Sequence, residues 1–69
     1  MDRKEETCTL VGAFCRQQSE RAIKVESRRY QGWVPQSVVH DDSEVWKVGQ
    51  FGKLVLKGWW AEKQGLELD

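Results

Sequence analysis

Hydrophobic and polar positions alternate along short stretches of this chain, and a period of two marks β-strands. The cleanest case is RAIKVES, where Ile23 and Val25 fall on one side and Lys24 and Glu26 on the other. TCTLVGAFCRQ also reads as a strand, but both of its rows are largely apolar. Cys8, Leu10, Gly12 and Phe14 make one row; Thr9, Val11, Ala13 and Cys15 make the other. Such a strand is either covered on both faces or lends an edge to self-association. Gly12 inside it marks a bulge or a sharp bend. YQGWV predicts another strand, stopped at Pro35, which has no N–H to give to a ladder. QQSE, SRR and PQS are the turns between these runs. In VVHDDSEVW an apolar pair precedes Asp41, Asp42 and Ser43, which form turns through side-chain to backbone bonds. VGQFG is expected to be a glycine-flanked loop. KLVLK is the last strand, with Leu54 and Leu56 on one face and Val55 on the other.

The period then changes. GWWAEKQGLELD predicts a short helix from Trp59 to Gln64, closed by Gly65 in the left-handed conformation, with Leu66 folding back on the last turn. A helix this short does not stand alone, so its tryptophans must pack on the sheet or on a partner. The expected fold class is α+β, mainly β: a small curled antiparallel sheet, or an SH3- or OB-like barrel, of about four strands with a short C-terminal helix. Residues 1–6 read as a flexible charged N-terminus, and 7–69 as a single small β-rich domain.

Composition narrows the function. Eleven basic and eleven acidic residues balance, which argues against a general grip on nucleic acid while leaving room for a local basic patch. Near-zero net charge also removes a guard against self-association. Cys8 and Cys15, placed on one strand, would lie beyond disulfide reach and on opposite faces. They read as reduced packing thiols of a cytosolic protein. No apolar run approaches the ~20 residues of a membrane span, and MDRKEE lacks the apolar segment of a signal peptide, so no membrane association is expected.

Candidate chemistry is sparse. Catalysis requires a nucleophile, a base and an orienting group within reach of one another. His40 is the single histidine, and a triad drawn from Cys8 or Cys15 with His40 and Asp41 lacks the electropositive setting that activates a thiol. HDDSE lacks the alternating acidic pattern of a calcium loop, and GQFG lacks the lysine-serine sequel of a phosphate loop. The expectation is therefore no enzyme, no metal and no cofactor.

Binding is the remaining signal. Trp33, Trp46, Trp59 and Trp60 are more tryptophan than so small a core needs. Trp59 and Trp60 are adjacent, so one can face the sheet while the other sits at the rim. Arg28, Arg29 and Tyr30 stand beside Trp33, with Lys24, Lys47 and Lys53 on nearby segments. Arginine holds phosphate bidentately and aromatic faces stack bases, so a nucleotide or single strand fits there. The plainer reading is a solvated hairpin turn. Alternatively, the surplus tryptophans with the doubly apolar first strand build a homodimer or higher oligomer. The candidate ligand- or partner-binding residues are Arg28, Arg29, Tyr30, Trp33, Trp59 and Trp60.

AIKVES…GWVPQSVV followed by GKLVLKGWWAEKQGL resembles a group of short uncharacterised proteins encoded by bacteriophages, prophages and plasmids. Their pattern joins a W-[VI]-P-x-S turn to an ending close to W-x-A-E-x-x-G-L. Here these fall on Trp33, Val34, Pro35 and Ser37, then on Trp60, Ala61, Glu62, Gly65 and Leu66. The resemblance covers roughly residues 22 to 66. The chain departs from it at the charged turn around Arg28 and Arg29, and at Trp59. It implies a mobile-element protein in a bacterial cytoplasm and carries no active site. Small size, absent catalytic residues and surplus tryptophan, taken with that ending, point to a protein that binds a host protein, a nucleotide or a nucleic acid and so modulates a host defence or host process, as an anti-CRISPR-like inhibitor or a nucleotide-signal sponge. An accessory single-stranded nucleic-acid binder and a structural subunit of a homo-oligomer are the alternatives.

Overall fold

The computed structural model describes residues 6–69. Of the charged start read as a flexible tail, residues 1–5 lie outside the described residues. Four strands form one antiparallel sheet: β1 (Thr7–Gln18), β2 (Ala22–Glu26), β3 (Gln31–Pro35) and β4 (Phe51–Lys57), in the order β3-β2-β1-β4. A 3-10 turn, Gln36–Val38, follows β3, and helix α1 (Gly58–Lys63) follows β4 directly. The small, mainly β architecture with a C-terminal helix is as expected.

β1 is the organising strand, and its register departs from simple alternation. Leu10 faces Leu54 and Ala13 faces Gly52, so Val11 and Gly12 share the single place opposite Lys53. Gly12 takes the positive φ, 67°, that such a bulge uses. The extra residue exchanges the two faces. Cys8 and Leu10 point into the core before it, Ala13 and Cys15 after it, and Phe14 points out. Two expectations are thereby corrected. Phe14 does not share a row with Cys8 and Leu10, and the two cysteines lie on one face; both are buried and free. A second irregularity, at Arg16, lets β1 bend again where it pairs with β2.

β2 and β3 follow their patterns. Ile23, Val25 and Val34 are fully buried, and Trp33 points outward beside Lys24. β4 begins at Phe51, not Lys53, so the last two residues of the expected VGQFG loop are strand. Gly52 is admitted there because the Glu44 side chain lies across it; a Cβ would meet Glu44 Oε1 at 2.5 Å.

The far edge of β4 is covered by the segment after the 3-10 turn. Val39 bridges Leu56, the His40 N–H donates to the Val55 carbonyl (2.8 Å), and the Glu44 N–H donates to the Lys53 carbonyl (2.8 Å). Buried Ser43 ties this segment down. Its Oγ donates to the Val45 carbonyl (2.9 Å) and accepts from the N–H groups of Val45 (3.2 Å) and Val55 (3.1 Å). Asp41 and Asp42 form the solvated turn their types predict, with the Asp42 N–H donating to His40 Nδ1 (3.1 Å).

α1 ends as its sequence dictates. Gly65 (φ 82°) donates to the Glu62 carbonyl and Leu66 to that of Ala61, both at 3.0 Å, the paired bonds of a Schellman cap. Trp60 and Ala61 are buried and Trp59 is not. Gly58 lies so close to β1 that an added Cβ would sit 2.8 Å from the Glu6 carbonyl oxygen.

The chain beyond the cap returns to β1. Leu66 and Leu68 pack against the core. The Asp69 N–H donates to the Thr7 carbonyl (2.9 Å). Its carboxylate accepts from Thr7 Oγ1 (2.9 Å), the Thr9 N–H (2.7 Å) and Thr9 Oγ1 (2.7 Å). The first residues of β1 are thus flanked by β4 on one side and this tail on the other, while β2 takes over from Phe14 onward.

Candidate ligand recess

The β2–β3 turn is held by one serine. Ser27 Oγ donates to the Tyr30 carbonyl (2.9 Å) and accepts from the Tyr30 N–H (3.1 Å), an arrangement serine favours in turns. This fixes Arg28 and Arg29 at the tip. The turn stands where β1 leaves its partner β2, and a recess of about 250 Å³ opens there, lined by Leu10, Val11, Ser27, Arg28 and Arg29. Its floor is apolar and two guanidinium groups stand at its rim. Arg29 is partly committed, donating through Nη2 to the Glu67 carbonyl (3.2 Å). Arg28 is exposed and has no hydrogen-bond or ion-pair partner among the described residues. A second concavity, lined by Arg16 to Glu20 and Val48, is wide open to solvent, and its lining is more polar than that of the recess.

Tyr30 follows the turn and anchors it to the core. Its ring meets Trp60 edge-on, with centroids 5.7 Å apart and planes at 74°, and its hydroxyl donates to the Trp33 carbonyl (3.0 Å). Burial pushes the Tyr30 phenol above its usual value, so it stays a neutral donor at physiological pH.

The six residues singled out from sequence therefore divide. Arg28 and Arg29 line the recess, while Tyr30, next in the chain, turns to the core and packs on Trp60. Trp33 faces the opposite way, out of the sheet. Trp59 is 57 % exposed, with Lys63 Nζ 5.8 Å from its ring centroid. Lys47 similarly covers exposed Trp46 at 5.1 Å. Leu10, Val11 and Ser27 were not foreseen as lining residues, because only the bulge at Gly12 brings them to the turn. Exposed Phe51 and half-buried Phe14 were likewise missed as aromatics of the outer face.

Neither thiol is primed for chemistry. Burial raises the pKa of Cys8, against the lowering effect of the Arg29 charge; burial likewise raises that of Cys15, against hydrogen bonds to the backbone of Gln17 and Lys24. A protonated thiol is a poor nucleophile and a poor metal ligand. Among the described residues no three His, Cys, Asp or Glu side chains group as metal ligands, and no helix is long and apolar enough to cross a membrane. Comparison with protein-family models, curated proteins and solved structures returns no match.

Proposed function

We propose that this chain is a non-catalytic binding protein of a bacteriophage or other mobile element, modulating a host defence or host process. In this reading the recess receives an anionic group that carries an apolar portion: an acidic side chain of a host protein, or a nucleotide signal. The observation that carries it is Arg28, a guanidinium without a partner among the described residues, at the rim of an apolar hollow. Arginine binds carboxylate or phosphate through paired N–H groups, and a low-dielectric floor strengthens that contact. The Ser27 turn holds the backbone rigidly, which lowers the ordering cost of binding.

We further propose that the sheet closes as an SH3-like barrel, with the Val39–Leu56 bridge as the joint. Slow amide exchange across residues 39–44 supports that joint, and exchange at the rate of a free loop removes it.

The functional test uses bacteria expressing the intact protein, challenged with phage, beside native mass spectrometry of protein recovered from those cells. The expected result is altered plaque formation and a retained protein or nucleotide, both lost in an R28A/R29A variant that still folds. An unchanged infection with no retained species overturns the reading. So does a phenotype indifferent to R28A/R29A.

A further inference from the structure

The outward face of the sheet carries a second pattern, independent of the recess. The register places Gln31, Glu26, Phe14 and Phe51 in one row across all four strands, and Trp33, Lys24 and Gln17 in the next. Phe51 is 68 % exposed and Trp33 45 %. Neither supports the core, whose largest fully buried side chains are Leu10, Ile23, Leu54 and Leu56. The cations Arg16, Lys24, Lys53 and Lys57 stand on the same face, interleaved with the rings. Against them are Glu26 and, at the Thr7 end, Asp69. Arg16 meets Glu26 at 3.4 Å with both side chains about half exposed, a contact that water and salt screen and that a phosphate can replace. The other described acids lie off this face: Glu6 against Gly58 of the helix, Glu20 at the β1–β2 turn, Asp41, Asp42 and Glu44 beside β4, and Glu62 and Glu67 on the helix and tail. A chain of zero net charge thus has one predominantly basic face.

We propose that this face binds single-stranded nucleic acid, with bases stacking on Phe51, Phe14 and Trp33 and phosphates meeting Lys24, Lys53 and Arg16. Rings standing on a sheet offer flat platforms to splayed bases, and any base can use them. A duplex hides those base faces. A protein partner fits less well, because interface cores exclude lysine, whereas here Lys24 lies between Trp33 and the β1 row. Binding through stacking and phosphate contact is tolerant of sequence and sensitive to salt.

The test is fluorescence anisotropy of labelled oligothymidylate and oligouridylate of about 12 nucleotides, titrated with the intact protein at low salt. The expected result is saturable binding to both and weaker binding to a duplex of equal length. F51A and W33A should each weaken it roughly 5- to 100-fold, from the loss of one stacked base, with thermal unfolding unchanged. K24A/K53A should flatten the slope of log affinity against log salt by about 1.4. Absence of binding overturns the proposal, as does equal affinity for duplex. Binding that survives F51A/W33A but is lost in R28A/R29A moves the strand to the recess and also overturns it. Tighter binding to vesicles containing phosphatidylserine than to any oligonucleotide would mark a membrane-facing surface instead. Because R28A/R29A lies off this face, failure here leaves the recess reading standing, and the converse holds.

Discussion

The two faces of one sheet divide the side chains by size. The inner face is built from Cys8, Leu10, Ala13, Cys15, Ile23, Val25, Val34, Leu54 and Leu56, and the aromatics that reach the core come from outside the strands: Trp60 from the helix and partly buried Tyr30 from the turn. The outer face holds Trp33, Phe14 and Phe51. A six-residue helix over a curled sheet leaves a narrow interior, which aliphatic side chains fill without strain. In so small a domain, abundant aromatics therefore signal surface chemistry more than core. Trp59 and Trp60 repeat the division within a single dipeptide.

The largest expected break between the faces comes from truncating one side chain on each. W60A or L56A should destabilise by ~3–5 kcal/mol, from lost transfer energy plus a cavity. W59A and F51A should stay within about 0.5 kcal/mol. Urea unfolding followed by far-ultraviolet circular dichroism reads all four, and equal losses inside and outside would erase the distinction. G58A comes next. Its Cβ would press on the Glu6 backbone, which cannot swing aside as a side chain would, so a loss of roughly 1–3 kcal/mol is expected. G12A has open space around its Cβ but a φ of 67°, so strain alone should cost about 1 kcal/mol. Glycine replaced by D-alanine through chemical synthesis should restore that loss; failure to do so would mean the bulge depends on something other than φ.

The smallest effect concerns the tail. Burial pushes the Asp69 carboxyl up, but hydrogen bonds from Thr9 and Thr7, with the Arg29 charge, outweigh it and hold the group below its ordinary value. A carboxylate depressed in the folded state adds stability above its unfolded pKa of about 3.9 and loses it as pH falls through the folded value. The group is exposed, so the loss on acidification should be under about 1 kcal/mol. D69N should unfold with a shallower pH dependence below about pH 4, measured by thermal melts across that range.

Much of the fold was legible because local chemistry agreed with it. Ile23 and Val25 alternate, Pro35 stops its strand, and Gly65 with Leu66 caps the helix. The failures share one cause: glycine inside a strand. Gly12 shifts the count by one residue, so the alternation that held for Cys8 and Leu10 misplaced Phe14 and Cys15. Gly52 made the start of β4 resemble a loop, which hid Phe51 from view as a sheet residue. The candidate recess was half legible for a related reason. Arg28 and Arg29 announce themselves by type, whereas Leu10 and Val11 reach the same hollow only through the bend in β1. A period of two contains no information about where a strand breaks step.

The tail that reaches back to β1 also sets an order of events during synthesis. Thr7–Leu10 pair with Lys57–Leu54, and Thr7 and Thr9 are sealed by Asp69. Every partner of the first strand's opening residues therefore leaves the ribosome after β1, β2 and β3. A nascent chain halted before Phe51 can form the β1–β2–β3 meander, but the start of β1 remains an unpaired edge, the kind of surface that recruits a second strand. The start of β1 gains its full set of partners only once Asp69 itself has emerged.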